Sequence, residues 1–289
     1  MIGNKLTELL IASGHSVGHL NRTATTNGGI PTFHWDPLNG EIDDKSLQGV
    51  EVIIHLAGAG IADERWTKDR KKEIIDSRVK GAQMLFDACK RKDIMLKNFI
   101  SSSAVGWYPL IISDNRYDES SPPGTGFLAE VCQAWEKSAD QFEEVAQVVT
   151  KLRVGLVLSK DGGVLSQIAR PIRFYAGATL GSGRQYMSWV HISDVCGMFK
   201  HVMENNLGGV YNAVGPEPMK NAEFIQTIAD VMDKPILLPR IPEFILRTIF
   251  GESANLVIKG VPISSKKIHS TGYEFDFPTL NSALFNIYW

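Results

Sequence analysis

Two spacings of apolar residues alternate along the first half of the chain. Met1–Leu10 reads as an amphipathic helix, Ala12–His15 as a Gly-centred turn, and Ser16–Leu20 as a short strand. A short extended piece at Pro31–Trp35 and a buried strand at Val50–Leu56 follow. From Arg65 to Lys92 the apolar positions Ile74, Ile75, Val79, Leu85 and Ala88 fall at helical spacing, which predicts one long helix. Asn98–Ser102 predicts a strand, Phe127–Val145 a helix, and Val148–Leu158 a strand. Strands alternating with helices predict an α/β fold, with a parallel sheet covered on both faces.

Beyond Gly162 the pattern is more broken. Arg170–Ser182, Trp189–His201 and Gly209–Val214 mix short helices, loops and one more strand. Helical pieces recur at Asn221–Met232 and Pro242–Phe250. The expected organisation is a sheet domain over residues 1–215, with its core in 1–160 and substrate-side segments from 161. A smaller C-terminal α+β lobe over 216–289 completes it.

The opening helix carries a specific expectation. In a Rossmann-like, doubly wound dinucleotide-binding unit, such a helix follows a buried strand and a glycine-rich turn, which together bring the coenzyme pyrophosphate to the helix N-terminus. Here the chain begins at that turn. Gly3 reads as the last glycine of a G-x-x-G-x-x-G fingerprint. The expectation is therefore a Rossmann-like sheet lacking its first strand, with the chain N-terminally truncated. A gap between Ser16–Leu20 and Val50–Leu56 and a loss of stability would follow.

The chain has 289 residues, 44% hydrophobic and 21% charged, as in ordinary globular proteins. Its formal charge of −2 gives no electrostatic argument for a nucleic-acid or membrane partner. Cys89, Cys132 and Cys196 lie far apart with no metal-ligand spacing, which points to a reducing compartment. No apolar run approaches the roughly 20 residues that span a bilayer. The expected setting is cytoplasmic, or mitochondrial if a targeting segment precedes Met1. The expected partner is a small-molecule substrate of unassigned identity.

Four places offer chemistry. Asn21 and Arg22 end the second expected strand, where an acid would bond the 2′-hydroxyl of NAD and an Arg the 2′-phosphate of NADP. The alternative is a solvated surface Arg. Leu56-Ala57-Gly58 ends a buried strand in small residues that allow close approach of a nucleotide; the alternative is an ordinary strand-to-loop glycine. Glu73 and Arg78, five residues apart on the long helix and so on different stripes, read by themselves as a solvated face. Ser101–Tyr108 places hydroxyls and a tyrosine at the C-terminal edge of a parallel sheet, where α/β ligands bind. A serine there can orient a carbonyl and a tyrosine can exchange a proton, although serines at strand ends are also common turn chemistry.

Taken in order, further motifs carry a resemblance. They are Leu56-Ala57-Gly58 with Arg65-Trp66-Thr67, Asp76-Ser77-Arg78, Ser101–Tyr108, Glu119–Gly124 and Phe127–Cys132 with Trp135-Glu136. Later come Gly181–Gln185, Trp189–Ile192 with Asp194, and the block Leu238–Leu284. On these the chain resembles the epimerase-type short-chain dehydrogenase/reductase family 39U, an atypical branch of the extended short-chain reductases. The resemblance implies NADP as coenzyme. It implies coenzyme contacts from Asn21, Arg22, Leu56, Ala57, Glu73, Arg78 and Val157, the last beside the nicotinamide.

Where typical short-chain reductases carry a Tyr and a Lys four residues apart, this chain has Phe127 and Val131, a departure that the family shares. Ser103 and Tyr108 are left as the candidate acid–base groups. Arg170, Arg173 and Arg184 read as a clamp for an anionic substrate or, individually, as solvated loop arginines. His191 and Asp194 open a helix, and capping explains them. The expected function is an NADP-dependent oxidoreductase or epimerase. The competing readings are an NADP(H)-binding pseudoenzyme or scaffold without turnover, and an inactive truncated product.

Overall fold

The structure, a computed structural model, describes residues 1–23, 29–160 and 162–289. Helix α1 (Ile2–Ala12) is followed by the short strands β1 (His19–Asn21), β2 (Thr32–Asp36) and β3 (Glu41–Ile42). β4 (Val52–His55) leads into the long helix α2 (Lys68–Arg91), and β5 (Leu96–Ala104) into α3 (Phe127–Asp140). Next come β6 (Ala146–Val154), β7 (Leu156–Leu158), α4 (Val164–Arg173), β8 (Tyr186–Met187) and β9 (Trp189–His191). α5 (Ile192–Glu204) and β10 (Gly209–Ala213) follow, then β11 (Met219–Lys220) and α6 (Asn221–Val231). The chain ends in α7 (Glu243–Phe250), α8 (Asn255–Ile258), α9 (Lys266–Ser270) and α10 (Leu280–Tyr288).

The boundaries of α2 follow from its sequence. Thr67 caps it, its Oγ1 accepting the Arg70 amide at 3.1 Å. Asp69 in the first turn and Lys90 and Arg91 in the last complement the helix dipole.

The central ladder is fully parallel, in the order β10-β6-β5-β4. Successive residues of β5 face opposite layers, as the pleat requires. Phe99 packs with Leu85, Cys89 and Phe142 on the α2/α3 side, whereas Ile100 joins Leu6, Val195 and Phe199 on the α1/α5 side. A second ladder, β1-β2-β3, pairs β1 with β2 in parallel and β2 with β3 antiparallel. The expected α/β class and parallel sheet are present, with the pairing divided between these two ladders. β1 and β4 share no ladder among the described residues. Trp35 of β2 reaches across to His55 of β4, ring edge-on at 6.4 Å between centroids.

Three expected elements differ in extent. The strand expected at Ser16–Leu20 lies at His19–Asn21. The helix from Phe127 ends at Asp140 and tightens into a 3-10 turn over Gln141–Glu144. The apolar run Val148–Leu158 is two strands broken at Gly155, where an added Cβ would lie 2.3 Å from the Ser188 carbonyl oxygen. β7 there leaves the central ladder and pairs with β9.

A second core, including Leu165, Trp189, Phe224, Ile228 and Leu284, joins the C-terminal elements to α4 and β9. Asp194, fully buried at the start of α5, ties in the 273–277 segment by accepting from the Tyr273 hydroxyl at 3.2 Å and from the amides of Asp276 at 2.8 Å and Phe277 at 3.2 Å. At the outer edge of β10, Glu119 accepts the Asn212 amide at 2.8 Å and Lys267 donates to the Val210 carbonyl at 2.8 Å. No helix among the described residues is long and apolar enough to cross a membrane, and no cluster of potential metal ligands occurs among them.

Candidate functional site

The expected coenzyme residues gather around the C-terminal end of β4. Leu56, Ala57 and Gly58 continue from its last residue, His55. A Cβ on Gly3 would sit 3.8 Å from the Leu56 side chain, so the start of α1 lies against this strand end. The N-terminus of α1 has no side-chain cap hydrogen bond among the described residues and no acid in its own first turn, so its amides and the positive end of its dipole suit an anion. Val157, on β7, packs against the same core as Leu56 and Ile2. Gly3, Leu56 and Val157 are thus brought to one end of the fold.

Arg78 has the most unusual surroundings. It is 6% exposed, and a Cβ on Gly58 would stand 2.8 Å from its guanidinium carbon. A larger residue at 58 would require the Arg78 guanidinium to shift. Nη1 donates to the carbonyls of Ala59 at 3.1 Å and Ile74 at 2.8 Å, and the guanidinium carbon lies 4.7 Å from the Trp135 ring centroid. Nε has no partner, and among the described residues no carboxylate forms an ion pair with Arg78. Burial pushes its pKa down to about 10, with the neighbouring Arg70 charge adding to the effect. An enclosed cation without an anion is costly by itself and favourable beside a phosphate.

The other expected contacts sit differently. Glu73 is exposed and accepts from Arg70 Nη1 at 2.7 Å, so it is already engaged on the helix surface. Asn21 and Arg22 are both exposed at the end of β1, and the Arg22 carbonyl lies 3.1 Å from His34 Nδ1. Residues 24–28, which follow, lie outside the described residues.

Ser103 and Tyr108 do meet, through a third and a fourth residue. Each is 1% exposed. Ser103 donates to Glu136 Oε1 at 2.8 Å, and Arg153 grips the same carboxylate, Nε to Oε1 at 2.8 Å and Nη2 to Oε2 at 2.9 Å. Arg153 Nη1 donates to the Tyr108 hydroxyl at 3.1 Å, which donates to Asn212 Oδ1 at 2.7 Å. Burial pushes the Tyr108 pKa up to about 12 despite the Arg153 charge beside it. For Arg153 burial acts downward, but the bond and charge of Glu136 outweigh it and raise the pKa. Both hydroxyls are enclosed, and each donates its proton within the fold.

Phe127, the first residue of α3, is 7% exposed, with the Trp66 ring 4.9 Å away and Lys71 Nζ 5.0 Å from its centroid. Val131, one turn on, is 1% exposed in the same apolar cluster. Arg170, Arg173 and Arg184 are exposed side chains on two separate segments. His191 caps α5, its Nδ1 accepting the Ser193 amide at 3.2 Å, and Asp194 makes the anchor already described.

Sequence reasoning missed the parts played by Arg153 and Glu136. An arginine between the apolar Leu152 and Val154 of β6 was the available signal, because a buried strand position tolerates an arginine only when a carboxylate meets it. Trp135, whose ring carries the Arg78 cation, lies one residue before Glu136 on α3.

Comparison with known proteins gives the family and the fold. Residues 1–214 match the NAD dependent epimerase/dehydratase family, and residues 241–287 match a domain of unknown function, DUF1731. The chain is 35% identical to the epimerase family protein Mb2239 of Mycobacterium bovis, over 98% of this chain and 93% of that one. It is 32% identical to the mouse epimerase family protein SDR39U1, over 98% of this chain and 94% of that one. The crystal structure of human epimerase family protein SDR39U1 (isoform 2) with NADPH superposes with a TM-score of 0.86 at 29% identity, covering 99% of this chain and 95% of that one. These coverages lend no support to the expectation of truncation. The chain is an SDR39U1-like member of the NAD dependent epimerase/dehydratase family.

Proposed function

We propose that this protein binds NADP(H) at the C-terminal end of β4 and acts as an oxidoreductase or epimerase on a small molecule whose identity is unassigned. The observation that carries the reading is Arg78, a buried guanidinium pressed against Gly58 with a free Nε and no carboxylate. The uncapped start of α1 beside Leu56 suits the pyrophosphate, and Arg22 without a neighbouring acid in its strand end suits a 2′-phosphate. Human SDR39U1 was solved with NADPH, which supports the same coenzyme here. Bound NADP(H) would supply hydride transfer. The chain's own residues hold the dinucleotide: Gly3 and the α1 amides at its phosphates, Leu56 and Ala57 along its adenosine half, and Val157 beside the nicotinamide. Glu73 sits at the outer rim, where its bond to Arg70 orients it.

The sequence expectation gave Ser103 and Tyr108 proton transfer. Their burial beside Glu136 and Arg153 favours a positioning role instead, fixing the end of β5 under the coenzyme. A second reading, a coenzyme-binding protein without turnover, is favoured by Phe127 and Val131, neither of which can move a proton.

Titration of the protein with NADPH and NADH, followed by turnover assays over nucleotide sugars and small carbonyl compounds, tests both readings. NADPH binding with oxidation of the coenzyme by any of these supports the enzyme, and binding without turnover supports the second reading. Arg78→Met is expected to raise the NADPH Kd about 10- to 100-fold, as loss of a charge-assisted contact should. The melting temperature should hold or rise, because an unpaired buried charge is removed. Unchanged affinity would remove Arg78 from the site.

A further inference from the structure

The segment Ile241–Ile258, comprising α7, a short turn and α8, is fastened firmly at its two ends and lightly in its middle. At one end the Ile241 amide donates to the Thr179 carbonyl at 2.8 Å, and the Gly181 amide donates to the Ile241 carbonyl at 2.9 Å. At the other, Gln185 Nε2 donates to the Val257 carbonyl at 2.8 Å. Between them only Leu246 and Ala254 are buried apolar residues, while Phe244, Ile249 and Phe250 are 70%, 56% and 46% exposed. Gly251 joins α7 to the turn at φ +64°, with open space around it. A span that buries so little is a unit of low local stability.

What holds the middle comes from the other side of the fold. Arg65, exposed in the loop before α2, donates through Nε to the Ile249 carbonyl at 3.1 Å and through Nη2 to the carbonyls of Thr248 at 2.5 Å and Ile249 at 2.8 Å. These are the last carbonyls of α7, the negative end of its dipole. Lys71, in the first turn of α2, pairs with Glu252 at 2.6 Å. Leu256, half-buried, adds one apolar contact to the cluster around Phe127. The same loop is held at its start by Arg78, through the Ala59 carbonyl at 3.1 Å, and by Arg70, through the Gly60 carbonyl at 2.7 Å.

We infer that Ile241–Ile258 is a strap that opens and closes over the Phe127 end of α3, latched by Arg65 and Lys71. Residues 58–67 connect that latch to Arg78. The latch itself rests only on the geometry above. Its coupling to coenzyme rests on the proposed NADP(H) site, since a phosphate bonded by Arg78 would stiffen the loop that presents Arg65. Linkage then requires that closing the strap tighten coenzyme binding by the same factor that coenzyme favours closure. Arg65 and Lys71 belong to neither the coenzyme contacts nor the buried Glu136–Arg153 network.

Amide hydrogen exchange read by mass spectrometry tests the latch on the whole chain. In Arg65→Ala with Lys71→Ala, exchange in 243–254 is expected to quicken about tenfold, with β5 and α6 unchanged. Unchanged exchange in 243–254 would overturn the latch, as would quickening spread equally over β5. Lys71→Glu quickens exchange on its own, and adding Glu252→Lys restores it; failure to restore overturns the ion pair as part of the latch. Saturating NADPH on the unaltered protein should slow the same peptides about threefold, the size of a modest coupling. NADPH that binds without slowing them overturns the coupling. Absence of NADPH binding overturns the coenzyme reading instead, and the variants alone then decide the latch.

Discussion

Arg153 and Glu136 face each other as a two-point ion pair, Nε to Oε1 at 2.8 Å and Nη2 to Oε2 at 2.9 Å, with the arginine 2% and the glutamate 5% exposed. The Arg153 guanidinium carbon also lies 3.9 Å from the Trp107 ring centroid. A pair so enclosed tolerates joint replacement far better than the loss of one member. Glu136→Ala leaves the guanidinium unpaired and is expected to cost about 3–5 kcal/mol in urea unfolding. Glu136→Ala with Arg153→Met should recover much of that loss. A single-variant cost below about 1 kcal/mol would show that Arg153 finds another partner.

Tyr108→Phe removes the donor to Asn212 Oδ1 and the acceptor of Arg153 Nη1. The expected stability loss is about 1–3 kcal/mol, with NADPH affinity unchanged. Once a substrate is in hand, turnover should persist in the variant. A drop of about 100-fold or more in kcat at unchanged KM would assign the hydroxyl to proton transfer.

Arg22→Asp sets a carboxylate where the 2′-phosphate of NADP is expected. Binding of NADP should weaken much more than binding of NAD. Isothermal titration with both coenzymes reads the difference, and equal losses would show that Arg22 does not sense the phosphate.

Two buried histidines set the acid limit of the fold. His55 has no partner at either ring nitrogen, and burial, with the Arg78 charge beside it, holds its pKa at about 4. Burial likewise holds His191 at about 4. Both groups have an unperturbed pKa of 6.5. As the pH falls below about 6.5, the unfolded chain takes up protons that the folded chain refuses, so stability declines until about pH 4 and is whole above about 6.5. Each histidine contributes on the order of 3 kcal/mol to that decline. Urea midpoints between pH 7.5 and 4.5 check this, and His55→Leu should flatten the profile. A midpoint that stays level over this range would contradict the burial of both rings as neutral groups.

Much of the fold was legible in spacing. The α2 stripe through Ile74, Leu85 and Ala88 fits the helical period, and the short β-branched run around Val52–Ile54 is strand-like by its length and composition, so helix and strand followed directly. The break at Gly155 was not legible, because the strand-like pattern of Val148–Leu158 continues on both sides of it and the cause is a distant carbonyl, that of Ser188. The site was legible unevenly. Leu56–Gly58, a candidate only, offered small residues at a strand end, a signal that an ordinary strand-to-loop glycine gives as well. Arg78 did not, since it ends a stretch of α2 crowded with lysines and acids, and only packing against Gly58 and Trp135 sets it apart. Ser103 and Tyr108 looked reactive because sequence lists hydroxyls without their partners. Glu136, 33 residues from Ser103, and Asn212, 104 from Tyr108, supply them.

Glu119 and Lys267 occupy the amide and carbonyl that β10 turns outward. In chemical terms one amide and one carbonyl on this edge are already taken by side chains from two distant parts of the chain. A strand of another copy arriving there would have to displace a carboxylate and an ammonium before forming its first backbone bond. Lengthening of the sheet at β10 is thereby opposed by two charged groups that a new strand would have to move aside.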